Sequence, residues 1–160
     1  MSQNIGQLLT KRAYRDPGLE ALIEPASGRR FTYSELNARS NRVANALTDM
    51  GIDDGDRVGL LLMNGVEFIE SFFAVAKIGA VNVPLNWRLV ADELEFIISD
   101  AGAKVLIFSS EFSDVAAELR SRGTTAVEHW IQLGGEADAS VVDFDAWMSA
   151  GSEKEPVGIG

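Results

Sequence analysis

FIESFFAVAKIGAVNVPLNWRL, residues 68–89, decides the fold. Apolar residues crowd the stretch from Phe68 to Ile78 at helical spacing, and Gly79 ends it. A very short strand, Ala80 to Val83, is predicted next and stops at Pro84. Asn86, Trp87 and Arg88 then turn outward just past the strand's carboxyl end. In an open α/β sheet that end is where ligands bind. Phe68, Phe72, Phe73, Val75 and Ile78 are spaced for a helix packed on a sheet, with part of that surface open to contact with further protein.

Working outward, the same helix–glycine–strand rhythm recurs at Gly51, Gly79, Gly102 and Gly123. Such alternation implies parallel strands joined by helical crossovers. Upstream, a first helix is predicted over Ile5–Tyr14, with Leu8, Leu9 and Ala13 as its apolar stripe and Asp16-Pro17 as its stop. A hairpin follows, Ala21–Glu24 and Arg30–Thr32, turning at Pro25–Gly28. Thr32 and Glu35 have capping-box spacing, with Phe31 and Leu36 at the two staple positions. Leu36, Ser40, Val43, Ala44 and Leu47 then mark one face of a second helix. Arg57–Met63 reads as a strand covered on both faces. Downstream, helices are predicted over Asp92–Ala101, with Val90, Leu94, Ile97, Ile98 and Ala101 on one face, and over Phe112–Arg122. Strands are predicted over Lys104–Phe108 and His129–Leu133, then a last strand at Val141-Val142 and a short helix over Asp143–Ala150. The predicted fold class is α/β: a mostly parallel sheet flanked by helices, with an N-terminal β-hairpin. Residues 1–150 read as this unit. Residues 151–160, GSEKEPVGIG, read as a linker or disordered end, having little apolar surface to bury.

A chain of 160 residues with 46% apolar composition builds a core without staples. It has no cysteine and one histidine, which excludes disulfides, thiolate nucleophiles and histidine metal clusters. No window approaches the ~20 apolar residues of a membrane span, and MSQNIGQLLTKR lacks a signal-peptide core; a cytoplasmic protein is expected. The net charge of −10 argues against nucleic acid as a partner. Lys11, Arg12 and Arg15, Arg29 and Arg30, and Arg39 and Arg42 read as solvated surface.

The usual nucleotide signatures are missing. Gly51, Gly55 and Gly59 precede a strand, where a dinucleotide fingerprint would follow one, and there is no P-loop. Gly151-Ser152 has no strand before it to make a nucleophile elbow. His129 is placed at a strand edge. Asp53, Asp54 and Asp56 read as an Asp/Gly turn, since calcium-loop spacing is absent.

Three blocks carry a family resemblance over about residues 5–110. FTYSEL (31–36) looks like the opening element of the second helix in adenylate-forming enzymes. GIDDGDRVGLLLMNGVEFIESFFAVAKIGAVNVPLN (51–86) is similar to the strand, helix and strand that follow in that superfamily. LVADELEFIISDAGAKVLIF (89–108) matches its next helix and strand. The order and spacing of the set make the resemblance specific. The run Val83-Pro84-Leu85-Asn86-Trp87-Arg88-Leu89 resembles fatty-acyl and aryl acyl-CoA synthetases, where Asn-x-Arg-Leu is common, more than peptide-synthetase adenylation domains.

The resemblance implies a partial N-terminal domain of an acyl-CoA synthetase. In that family a carboxylate attacks the α-phosphate of ATP, giving acyl-adenylate and pyrophosphate, and the thiol of coenzyme A (CoA) then displaces AMP. It implies ATP, Mg²⁺ and CoA for the full-length enzyme, none of them bound by this segment alone, and a fatty or aryl carboxylic acid as substrate. Arg88 matches an arginine that meets CoA phosphates in aryl-type relatives; a salt-bridging role for Arg88 is the structural alternative. The family's Ser/Thr/Gly-rich phosphate loop, Thr-Glu pair, ribose-binding Asp and C-terminal Lys are not in this sequence, so no catalytic residue is carried over. The expectation is a segment inactive alone, with an exposed apolar patch and self-association. The alternative is a stand-alone acyl-binding or partner-completed module.

Overall fold

Gly51, Gly79, Gly102 and Gly123 have φ of 85°, 75°, 64° and 64°. A side chain resists that left-handed geometry, so each glycine ends its helix and turns the chain into the next strand. The computed structural model describes residues 4–157. The elements are α1 (Gly6–Arg15), β1 (Glu20–Ile23), β2 (Arg30–Thr32), α2 (Tyr33–Asp49), β3 (Arg57–Leu61), α3 (Val66–Lys77), β4 (Val81–Pro84), α4 (Ala91–Ala101), β5 (Ala103–Ser109), α5 (Ser113–Arg122), β6 (His129–Leu133), β7 (Val142–Asp143) and α6 (Phe144–Ala150). A 3₁₀ turn over Ser110–Phe112 separates β5 from α5.

β3 to β7 form one parallel sheet in the order β4-β3-β5-β6-β7. β1 and β2 make a separate antiparallel hairpin. α2, α3 and α6 share a core with one face of the sheet, from Val43, Leu47, Val75 and Phe144 to Val58, Leu60, Ile107 and Ile131. α4 and α5 cover the other face through Leu94, Ile98 and Leu119 on Leu61, Leu106 and Phe108. Full burial of each such side chain is worth roughly 1.5–3 kcal/mol. The alternation of these residues along β3 and β5 explains the continuous apolar runs: both faces are covered. A third, smaller cluster joins Leu9, Leu36 and Val66 to the hairpin.

The capping box of α2 forms as its spacing predicts. The Glu35 N–H donates to Thr32 Oγ1 at 3.2 Å, and the Thr32 N–H donates to Glu35 Oε2 at 2.8 Å. Other expectations are corrected. Leu8 is exposed; Gly6, Leu9 and Ala13 form the buried stripe, because steps of three and four keep one face while Leu8 points a quarter-turn away. Val90 is exposed as well, since it stands at the N-cap of α4, outside the stripe of Leu94 and Ile98. Residues 151–155 lie along α2 through polar contacts, although their apolar content gives no reason for docking. Residues 158–160 of that tail lie outside the described residues.

Candidate functional site

In the order β4-β3-β5-β6-β7 the chain winds outward from β3 in both directions, so the topological switch point lies between β3 and β5. Side chains there have no crossover above them, and a crevice opens at the carboxyl ends. It is present: a volume of about 720 Å³ bounded by Met63, Asn64 and Gly65 after β3, Ser109 at the end of β5 with Ser110 and Glu111 after it, Leu133 of β6, Phe68 and Ile69 of α3, and the hairpin from Leu22 to Arg29. Its floor is apolar.

The N-terminus of α3 points at this crevice. A free helix N-terminus at a switch point is a ready phosphate site. Here the position is taken. Gly65 offers no capping side chain, and Glu24 of the hairpin turn accepts the Val66 N–H at 2.7 Å from across the fold. A Cβ on Gly65 would stand 3.1 Å from that carboxylate oxygen, so the glycine makes room for it. Arg29 donates to Glu24 at 2.7 and 2.9 Å and to Glu67 at 2.9 and 3.2 Å. The Arg29 guanidinium, then the Val66 N–H, hold the Glu24 carboxyl down to about 2. Three carboxylates, Glu24, Glu67 and Glu111, line the crevice with one guanidinium, that of Arg29, which leaves the lining at −2. Anionic phosphate is repelled twice, by charge and by occupation of its donors.

The residues do not fit ATP with Mg²⁺. Besides the closed helix terminus, no three His, Asp or Glu side chains converge to hold a metal among the described residues. Asp56 instead pairs with Lys104 at 2.7 Å and accepts the Asp53 N–H at 3.0 Å, tying the turn to β5. His129 opens β6 in register with Val105.

On the α4/α5 side of the same sheet end stands the Asn86-Trp87-Arg88 turn. Asn86 Oδ1 accepts the Arg88 N–H at 3.0 Å, and the Leu89 N–H closes on the Asn86 carbonyl at 3.1 Å. The Trp87 ring stacks on Phe112, 6.4 Å between centroids and 27° between planes, reaching from the end of β4 to the end of β5. The Arg88 guanidinium lies 4.9 Å over Trp87. Arg88 is exposed and, among the described residues, has no carboxylate partner. A cation held on an aromatic plane with its forked donors free suits a phosphate.

Sequence reasoning placed the Asn86–Arg88 turn just past the carboxyl end of β4, as found, but missed the switch point between β3 and β5 and the roles of Glu24, Glu70 and Lys77. Glu70 and Lys77 are fully buried on α3. The signal was there: Glu70 and Lys77 both fall on the buried side of a largely apolar helix, and buried charges require partners.

The class is thus a doubly wound α/β unit whose sheet end is closed to phosphate on one side and carries an aromatic–arginine turn on the other. The AMP-binding enzyme family matches residues 9–157, and the chain belongs to that family. A long-chain-fatty-acid–CoA ligase, FadD13 of Mycobacterium tuberculosis, is 45% identical over 131 residues, which are 81% of this chain and 26% of the relative. The solved fatty acyl CoA synthetase of Mycobacterium tuberculosis superposes with a TM-score of 0.88 at 40% identity, over 98% of this chain and 30% of that one. The separate N-terminal domain of FACL13 from the same organism gives 0.87 at 40% identity, over 97% of this chain and 38% of that domain. The chain therefore spans about a quarter of the length of its curated relatives, and a little over a third of one solved N-terminal domain.

Proposed function

We propose that this chain is the scaffold part of an ATP-dependent acyl-CoA synthetase, converting a fatty acid, ATP and CoA to acyl-CoA, AMP and pyrophosphate, and that the 160 residues alone do not catalyse adenylation. One observation carries the reading: the α3 N-terminus at the switch point holds the protein's own Glu24 carboxylate, so the natural phosphate seat of this sheet is filled. ATP and Mg²⁺ must then be handled by residues other than these. A cytoplasmic location belongs to the same reading. Fatty-acid-dependent ATP–pyrophosphate exchange by the purified chain is expected to be indistinguishable from a no-protein control; clear turnover would overturn the proposal. The apolar floor of the crevice favours a second reading, an acyl-binding module. Saturable fatty-acid binding without exchange, measured calorimetrically on the same material, would select it.

Arg88 is the one CoA contact in this proposal. Its guanidinium would meet phosphate oxygens of the nucleotide end, held in place by Trp87 and the Asn86 turn. In the full-length enzyme Arg88→Ala is expected to raise KM for CoA by roughly tenfold or more, the worth of a charged hydrogen bond. KM for ATP and for the fatty acid should stay put. An unchanged KM for CoA removes Arg88 from the binding site.

A further inference from the structure

Asn37, Asn41 and Asn45 stand four residues apart on α2 and so form one column. Asparagine is a poor helix former, and three in a column need a reason. The structure supplies it: the column hands its donors to residues 152–155. Asn45 Nδ2 donates to the carbonyls of Ser152 at 2.8 Å and Lys154 at 2.9 Å, and Asn41 Nδ2 donates to that of Glu153 at 2.9 Å. Arg42 adds bonds to the carbonyls of Ser149 and Gly151, both 3.0 Å. Gly151 starts this strap because a Cβ there would come within 2.1 Å of the Arg42 carbonyl oxygen.

The column ends at a buried cation. Lys77 Nζ has three donors, and they reach Thr10 Oγ1, Asn37 Oδ1 at 2.9 Å and Glu155 Oε2 at 2.8 Å. Glu155 is ringed by donors alone. Lys77 and Thr10 Oγ1 (3.0 Å) serve one oxygen; Asn37 Nδ2 (2.6 Å) and Asn41 Nδ2 (3.2 Å) serve the other. Asn37 Oδ1 accepts a hydrogen bond from the Lys77 ammonium and Asn37 Nδ2 donates one to the carboxylate, which fixes the amide's orientation. Three helices, α1, α2 and α3, thus converge on a single carboxylate.

We infer that Lys77, Thr10, Asn37 and Asn41 form a carboxylate receptor, that Glu155 is the group it reads, and that this contact locks the far end of the strap on α2. The near end is fixed separately: Gly151 fits against the Arg42 carbonyl, and Arg42 donates to Glu153 Oε1 at 2.8 and 3.1 Å. That ion pair is exposed, and such pairs contribute little. Ser152, Glu153 and Lys154 give no apolar anchor. Glutamine would fail in the receptor, since its amide nitrogen would face a donor on whichever side it turned. It would also leave the Lys77 ammonium buried without a counter-charge.

Hydrogen exchange on the 160-residue chain tests this without recourse to ligase activity. The strap meets α2 through its carbonyls, so the hydrogens it protects are those on Nδ2 of Asn41 and Asn45. Glu155→Gln is expected to speed their exchange, read by NMR, by roughly tenfold or more, while backbone amides of β5 and α4 keep their protection. Wild-type exchange of these side-chain amides would overturn the inference, and assign docking to the contacts of residues 151–154 alone. Should the glutamine variant fail to fold, Glu155→Asp serves: the charge stays and the carboxylate retreats by one methylene. Faster exchange of the same hydrogens supports the receptor; wild-type protection refutes it.

Discussion

Urea titrations are expected to show the folded chain losing on the order of 3 kcal/mol as pH rises from 4.5 to 7, and Glu70→Gln to abolish that loss. Glu70 is fully buried on α3, where Arg39 of α2 donates to it at 2.5 and 3.1 Å. Burial pushes its carboxyl up to about 7 from 4.5, against the pull of Arg39; the nearby Glu67 raises it further and Arg29 lowers it. The raised value means that folding favours the protonated acid. The contribution is therefore full below 4.5, fades through the interval to 7, and is level above it. Carboxylates held low by partners, such as Glu24 at about 2, lose their contribution below 4.5 and leave this window clear. The same physics predicts a contrast at neutral pH. Glu70→Ala strands Arg39, which is only 26% exposed, and should cost about 3 kcal/mol. Replacing both residues with methionine should be neutral or stabilising, because desolvation of a buried pair can exceed its attraction. A double variant less stable than Glu70→Ala would contradict this account, as would a flat wild-type profile between pH 4.5 and 7.

What the sequence made legible was local. The capping box at Thr32 and Glu35, the four glycine helix ends and the covered strands all rest on residues within a few positions of each other, where geometry follows from spacing. Parallel strand direction was also legible, because helical crossovers imply it, and the turn at Arg88 was placed after Pro84; the strand order β4-β3-β5-β6-β7 was not. What stayed hidden joins distant residues. Glu24 caps a helix that starts 42 positions later, Arg39 meets Glu70 over 31, and Lys77 meets Glu155 over 78. No local period encodes such pairs. The strap misled for a related reason: composition predicts what apolar burial will do, but here polar donors on α2 supply the docking.

Self-association is the other large expected effect, and Val90 argues for it. Val90 sits at the N-cap of α4, where serine, threonine, aspartate or asparagine is favoured. Glu93 reaches back to the Val90 N–H at 3.1 Å, but valine has no oxygen to answer the Glu93 N–H, so only half a capping box forms. The side chain is 62% exposed, and Phe96, nearly two turns further along the same helix, is 71% exposed. A residue that caps poorly and meets solvent is explained by an apolar surface that covers it. The purified chain is expected to show concentration-dependent association in sedimentation velocity. Val90→Ser with Phe96→Ser should move it toward monomer. The serine at 90 also completes the capping box, worth about 0.5–2 kcal/mol, so Tm should hold or rise while association falls. An exposed apolar pair with no partner predicts the stability gain alone. Strictly monomeric wild-type behaviour at high concentration would therefore leave the poor cap without this explanation.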